Sequence, residues 1–211
     1  MHDDGDGADG PRRRRRVALA GHRGDVADVR AGLGDADPAV RATALGAAAR
    51  LGALGGDDVR AALADPDPVV RSRACEVAAA GSPVEPEAVV ERLDDADATV
   101  VEVAAWALGE LGERGPIPPG TVAHLSRVAT GHDDPLAREA AVAALGALGD
   151  REGLAAILAG TRDKPAVRRR AVLALAPFDG PEVDEALARA AEDRDWQVRE
   201  AAALLARPPR G

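Results

Sequence analysis

The feature that most constrains this chain is a short motif that recurs six times. The copies lie at 37–41, 67–71, 97–101, 134–138, 164–168 and 195–199, and the first reads Asp-Pro-Ala-Val-Arg. Their spacings are 30, 30, 37, 30 and 31 residues, and an alanine follows three residues after the fifth motif position in every copy. Such regular spacing is typical of repeat proteins, in which each unit buries its apolar face against its neighbours.

Each copy predicts the start of an α-helix, because aspartate is a favoured N-cap residue and proline fits the first helical position. The first copy continues with an apolar stripe of helical period at Val40, Ala44, Ala47, Ala48 and Leu51. Leu-Gly pairs at 51–52, 111–112 and 148–149 predict left-handed C-terminal caps. We call this motif-bearing helix B. A shorter helix A is predicted before each B helix, near 25–33, 57–64, 86–93, 121–129, 151–159 and 181–191.

The composition supports a purely helical fold. Aromatic residues make up 1% of the chain, so the core must be built from Ala, Leu and Val, of which Ala and Leu are the best helix formers. The sequence therefore predicts an all-α protein, an α-solenoid of about six helix pairs plus an N-terminal cap helix. A single solenoid is expected over 11–207, with a candidate hinge at 112–120. It lies between an acidic tail at 1–10, expected to be disordered, and a C-terminal tail at 208–211.

The repeated pattern D-x-D-P-x-V-R-x-x-A-x-x-x-L-x-x-L-G resembles the short HEAT-like repeat of the phycobilisome-lyase type, over about residues 12–207. This resemblance implies a right-handed solenoid that serves as a non-enzymatic interaction scaffold, with its partner, a protein or peptide, on the concave face. Some relatives attach bilins, some hydroxylate deoxyhypusine and some are DNA glycosylases. The His-Glu metal motifs of the hydroxylases are absent from this sequence, so the resemblance does not extend to that activity.

No catalytic set, cofactor site or metal site is predicted. The single cysteine, Cys75, excludes an internal disulfide, and none of the four histidines has metal-site spacing. A net charge of −9 disfavours nucleic acid as a partner. No apolar run is long enough to cross a bilayer, which predicts a cytoplasmic protein without a membrane partner. Two alternatives remain open: a bilin-lyase-like or other small-molecule enzyme, and nucleic-acid binding that resembles the HEAT-like DNA glycosylases.

Arginine recurs at the fifth motif position in five copies: Arg41, Arg71, Arg138, Arg168 and Arg199. We expect these side chains to pair with aspartates of the inter-helix loops, such as Asp35, Asp65, Asp95 and Asp193, because an unpaired, half-buried arginine is costly. A basic ladder for phosphate is the alternative. A second basic feature, the run at 12–16, is expected to be a solvated cap; an electrostatic patch for nucleic acid or membrane is its alternative.

The candidate partner surface is the B-helix face that points away from the apolar stripe. Trp106 lies there in the central repeats, with Val103 one turn away and Glu102 and Glu110 on either side. Tryptophan is favoured at binding hot spots. Alternatively, Trp106 packs sideways against the fourth B helix. Trp196, in the last copy, is expected to pack against the terminal repeat. The candidate partner-binding residues are Arg73, Glu76, Glu102, Val103, Trp106, Glu110, Arg169 and Arg170.

Overall fold

The computed structural model describes residues 9–206. The tail predicted at 208–211 and most of the tail predicted at 1–10 lie outside the described residues. Within 9–206 the secondary structure is helical, with no strand, which confirms the all-α fold class. The first helix, α1, spans Gly10–Arg23 and is the expected N-terminal cap helix.

In the part of the chain that the structure describes, twelve α-helices follow α1 in alternating A and B order, as the repeat spacing predicts. The A helices are α2 (Val26–Gly32), α4 (Gly56–Leu63), α6 (Pro86–Val90), α8 (Thr121–Gly131), α10 (Leu154–Gly160) and α12 (Pro181–Ala191). The B helices are α3 (Pro38–Arg50), α5 (Pro68–Ala79), α7 (Ala98–Gly112), α9 (Pro135–Leu148), α11 (Pro165–Ala174) and α13 (Trp196–Leu205). Short 3₁₀ turns at Glu91–Asp94 and Arg151–Gly153 flank α6 and α10.

The motif aspartates cap the B helices as predicted. Each accepts a hydrogen bond from the backbone N–H two residues later, at 2.8–2.9 Å, and these caps are Asp37, Asp67, Asp97, Asp134 and Asp195. Helix α11 is the exception, since its N-cap residue is Lys164 and makes no side-chain cap. The alanine three residues after each motif copy is buried, at Ala44, Ala74, Ala104, Ala141, Ala171 and Ala202.

The chain forms two compact units, Met1–Arg92 and Leu93–Gly211, so the division falls inside the third helix pair. In the first unit α1, α3 and α5 pack side by side in chain order. In the second unit α7, α9, α11 and α13 do the same, and α8, α10 and α12 each pack against the B helix that follows. The connector at 112–120 lies within the second unit, and its role as a hinge stays a prediction.

Small residues bring the B helices of the second unit close together. A Cβ added to Gly109 would lie 3.2 Å from the Cα of Ala144, and one added to Gly146 would lie 2.8 Å from the Cα of Ala174. The predicted left-handed caps at Gly52 and Gly149 are confirmed, with φ of +64° and +62°. The third predicted cap is wrong.

Gly112 is the last residue of α7 and does not have a positive φ. A Cβ at this position would overlap the Cδ2 of Leu148. Close packing against α9 therefore explains this glycine, where the sequence pattern indicated helix termination.

Candidate functional site

The repeated arginines form a ladder with the loop aspartates. The Nε and Nη2 of Arg138 donate to the carboxylate of Asp163 at 2.7 and 2.8 Å, and those of Arg168 donate to Asp193 at 2.9 and 2.8 Å. In the first unit Arg41 pairs with Asp65 in the same way, at 2.8 and 2.7 Å. Because these guanidinium groups already bind aspartate carboxylates, the structure favours a structural role for the repeated arginines over a phosphate-binding role.

Arg41, Arg138 and Arg168 also donate hydrogen bonds to backbone carbonyls of the loop that precedes their own helix. The Nη1 of Arg138 donates to the carbonyls of His132 and Asp133 at 2.7 and 3.0 Å. The hydrogen bond from Arg138 holds the pKa of Asp163 below its usual value, and Arg168 does the same for Asp193. The charged form of each carboxylate is therefore stabilised by folding.

The arginine run at 12–16 divides into one ladder residue and an exposed remainder. The Nε of Arg13 lies 3.1 Å from the Oδ2 of Asp35, so Arg13 makes the first rung of the ladder. The neighbouring arginines Arg12, Arg14, Arg15 and Arg16 are exposed, as expected of a cap. Sequence analysis missed the role of Arg13, although Asp9 and Arg13 repeat the four-residue spacing of Asp37 and Arg41.

The arginine–aspartate pair expected from the third motif copy is replaced at both of its positions. Val101 stands where the other copies have arginine, and His132 stands where the loop before α9 would carry the paired aspartate. The Nδ1 of His132 accepts from the backbone N–H of Asp134 at 3.1 Å, as the loop aspartates do elsewhere. The double replacement removes both charges of one expected pair, and the loop keeps its turn.

Trp106 lies on the solvent-exposed face of α7. Its neighbours Ala104, Ala105, Ala107 and Leu108 are buried, whereas the indole side chain is 44% exposed. This exposure favours the surface reading over burial between helices. Val103 lies one turn away on the same helix and is half-buried.

Two acidic side chains flank Trp106 at i−4 and i+4. Glu102 and Glu110 are half-buried on α7, and neither carboxylate makes a hydrogen bond or ion pair with a residue in the 9–206 range. Burial raises the pKa of Glu102 above its usual value, and the negative charges of Asp134 and Glu139 raise it further. The Glu102 carboxylate is therefore held in a setting that disfavours its charged form.

Glu139 and Arg170 extend this surface onto the next two B helices. The Nε of Arg170 on α11 lies 3.4 Å from the Oε1 of Glu139 on α9. This is an ion pair without a hydrogen bond, since the buried Nε is not directed at an acceptor. We use the name Trp106 surface for Glu102, Val103, Trp106, Glu110, Glu139 and Arg170.

Three further candidate residues lie on α5 and α11. Arg73 and Glu76 lie on α5 in the first unit, where they form an ion pair with each other. Arg169 is half-buried on α11 and has no carboxylate partner within the described residues.

Sequence analysis missed Glu139, although it occupies on α9 the repeat position that Glu102 occupies on α7. The expectation for Trp196 is wrong: at the first position of α13 this side chain is 62% exposed. The position explains the exposure, because α13 is the last helix within 9–206 and no further repeat in that range covers it. Cys75 is fully buried, as expected of a core thiol.

Two further searches concern residues 9–206. No group of three or more His, Cys, Asp or Glu side chains is arranged to hold a metal ion. No helix in this range has the length and apolar character needed to span a membrane.

Comparison with solved structures shows the fold. YibA of Escherichia coli superposes with a TM-score of 0.68 at 16% identity, over 91% of this chain and 72% of that chain. An engineered protein superposes with a TM-score of 0.60 at 20% identity, over 85% and 94% of the two chains. A designed armadillo repeat protein in complex with the peptide (KR)4 gives 0.58 at 17% identity, over 84% and 96%.

Comparison with curated proteins finds no match. The family model described as HEAT repeats matches at residues 26–109, 56–145, 86–166 and 122–206. Since these matches together cover more than half of the chain, the protein belongs to the HEAT repeat family.

Proposed function

We propose that this protein is a non-enzymatic interaction scaffold of the cytoplasm that binds a protein or peptide on the Trp106 surface. The resemblance of the B-helix pattern to the short phycobilisome-lyase repeat supports this proposal, and the resemblance implies that the Trp106 surface is a concave face. No observation on residues 9–206 favours the bilin-lyase-like or nucleic-acid-binding alternative.

The exposed indole of Trp106 carries the proposal. Aromatic residues make up 1% of the chain, yet this large apolar side chain is left 44% exposed beside buried alanines. Burying it against a partner would remove apolar area from water, and tryptophan is enriched among the residues that dominate binding energy.

The architecture around Trp106 suits an extended partner. The residues of α9 nearest in repeat position, Ala140 and Ala143, are small and only half-buried. Arg170 and Leu173 follow at the corresponding positions of α11. A peptide that crosses α7, α9 and α11 would contact the indole of Trp106, then the small alanines of α9, and then the Arg170 and Leu173 side chains of α11. The designed armadillo repeat protein named above holds a peptide on a fold of this type.

Peptide selection followed by footprinting tests the proposal. A random-peptide display library is panned on the immobilised full chain, and the selected peptide is added at saturation before brief hydroxyl-radical oxidation. We expect the peptide to protect Trp106 from oxidation and to leave Trp196 unprotected. Trp196 is a matched internal control, because it is the other tryptophan and is also exposed.

Two results would overturn this function. One is a selected peptide that leaves the oxidation of Trp106 unchanged, since binding would then occur on another surface. The other is repeated panning that yields no peptide with affinity for the full chain above that for an unrelated protein.

A further inference from the structure

Glu102, Trp106 and Glu110 form a continuous ridge on α7. They are spaced by four residues, so each lies one helical turn from the next on the same face. The ridge places an exposed indole between two half-buried carboxylates that have no partner among residues 9–206.

The surroundings of this ridge are also acidic. Asp134 at the start of α9 and Glu139 one turn later both contribute negative charge at Glu102. Arg170 lies 3.4 Å from Glu139 and offsets that carboxylate. Of the charges on the Trp106 surface, Glu102 and Glu110 therefore remain without a countercharge.

The equivalent ridge on α5 differs in this respect. There Arg73 and Glu76 lie on the same helix and pair with each other. Helix α7 has no basic residue at all between Ala98 and Gly112. A basic partner segment can therefore supply a countercharge that α7 itself does not contain.

The chemistry of the ridge selects the partner. A cation placed over an indole face is attracted by the negative potential of the ring, and the same cation can donate charge-assisted hydrogen bonds to carboxylates on either side. A neutral or acidic segment would instead cover Glu102 and Glu110 and leave them desolvated without a partner, which is costly.

Resting on the function proposed above, we infer that the partner segment is basic and that one of its arginine or lysine side chains docks against Trp106 between Glu102 and Glu110. The indole supplies the contact for the cation and its alkyl stem, and the two carboxylates supply the countercharge. The neighbouring Glu139 extends the acidic surface in the direction of α9.

Defined peptides test this inference. The probe is an acetylated, amidated octapeptide of alternating arginine and alanine, and its control has citrulline, a neutral isostere, in place of each arginine. Binding is followed by the fluorescence of Trp106 in a Trp196→Phe variant of the full chain. We expect the arginine peptide to bind about tenfold or more tightly than the citrulline peptide at low salt, and the difference to shrink as salt is added.

Charge-neutralising variants locate the effect. Glu102→Gln and Glu110→Gln should each weaken the arginine peptide by about two- to fivefold and leave the citrulline peptide unchanged. Glu152→Gln is the matched control, because it changes the net charge equally at an exposed position on the turn before α10. It should leave both affinities unchanged.

The outcomes separate this inference from the proposed function. Equal binding of the two peptides, or equal loss in Glu102→Gln and Glu152→Gln, overturns the cation site. A display-selected peptide that protects Trp106 but carries no arginine or lysine also overturns it, and in that case the proposed function survives. If no peptide protects Trp106, the proposed function fails together with the inference.

Discussion

The inter-helix loops and the Trp106 surface use acidic side chains in opposite ways within the same unit. In the loops, Asp163 and Asp193 each receive two hydrogen bonds from a guanidinium group, which hold the pKa of each carboxyl below its usual value. On the surface, burial and neighbouring acids raise the pKa of Glu102, and no cation contacts it within the described residues.

This difference separates the charges that stabilise the fold from those that do not. Within each unit the ladder pairs recur between successive B helices, apart from the replaced pair at Val101 and His132. The burial of Glu102, which occurs in one repeat, costs the free protein electrostatic energy. Groups that folding leaves unfavourably placed are candidates for a role in binding, and Glu102 lies one helical turn from an exposed tryptophan.

Removing a ladder arginine should have the largest effect on stability. Arg138→Ala leaves the half-buried Asp163 without its guanidinium partner and removes the hydrogen-bond donor to two loop carbonyls. We expect a loss of about 2–3 kcal/mol in the free energy of unfolding by denaturant titration. Arg199→Ala is the control, since Arg199 lies in the last repeat and its Nη1 bonds only to loop carbonyls at 2.7 and 3.2 Å. It should lose less than about 1 kcal/mol; equal losses would show that the carboxylate pairing contributes little.

The buried side of α7 should tolerate change less than its outer side. Ala104 is fully buried, so Ala104→Leu should cost roughly 1–3 kcal/mol through overpacking. Ala203→Leu, at an exposed position of α13, should stay within about 0.5 kcal/mol of the parent. Thermal or denaturant unfolding of both variants checks this. A neutral Ala104→Leu would mean that the assigned faces of α7 are wrong, and with them the position of Trp106.

The smallest effect should appear in the pH dependence of stability. The folded-state pKa of Glu102 is raised, so its favourable contribution is present at low pH and is lost as pH rises through that pKa. Glu102→Gln should therefore be more stable than the parent near pH 7, by about 0.5 kcal/mol, and equal to it near pH 3.

Asp163→Asn should show the opposite sign. The folded-state pKa of Asp163 is lowered, so its contribution is present above the unfolded pKa and is lost as pH falls through the folded one. This variant should be less stable than the parent near pH 7, and the gap should narrow on acidification. Denaturant titrations at both pH values give the result. If both variants changed the free energy of unfolding in the same direction near pH 7, the electrostatic difference between Asp163 in the loops and Glu102 on the surface would be disproved.

Much of the fold was predictable because its determinants are local. The capping role of Asp37 and Asp67, the start of each B helix and the burial of the repeat alanines follow from sequence spacing and helix geometry. Gly112 was misassigned because a glycine near a helix end satisfies a cap pattern whether its purpose is termination or, as here, contact with Leu148.

The candidate site was less predictable, since it depends on which side chains meet across helices. The outer-face position of Trp106 followed from the period of α7. The ion pair that offsets Glu139 could not be read from the chain, because its two residues lie on different helices and are 31 positions apart. The exposure of Trp196 depended on whether another helix covers the start of α13, which repeat spacing does not specify.

The most direct test of the central claim measures stability and binding in the same variant. Trp106→Ala, compared with Trp196→Ala, is unfolded in denaturant and is also titrated with a display-selected peptide. We predict that Trp106→Ala changes the free energy of unfolding by less than about 1 kcal/mol and weakens the peptide by about 30-fold or more, whereas Trp196→Ala changes neither. A loss of about 3–5 kcal/mol in stability, with peptide affinity retained by the folded variant, would instead make Trp106 a core residue and contradict the account.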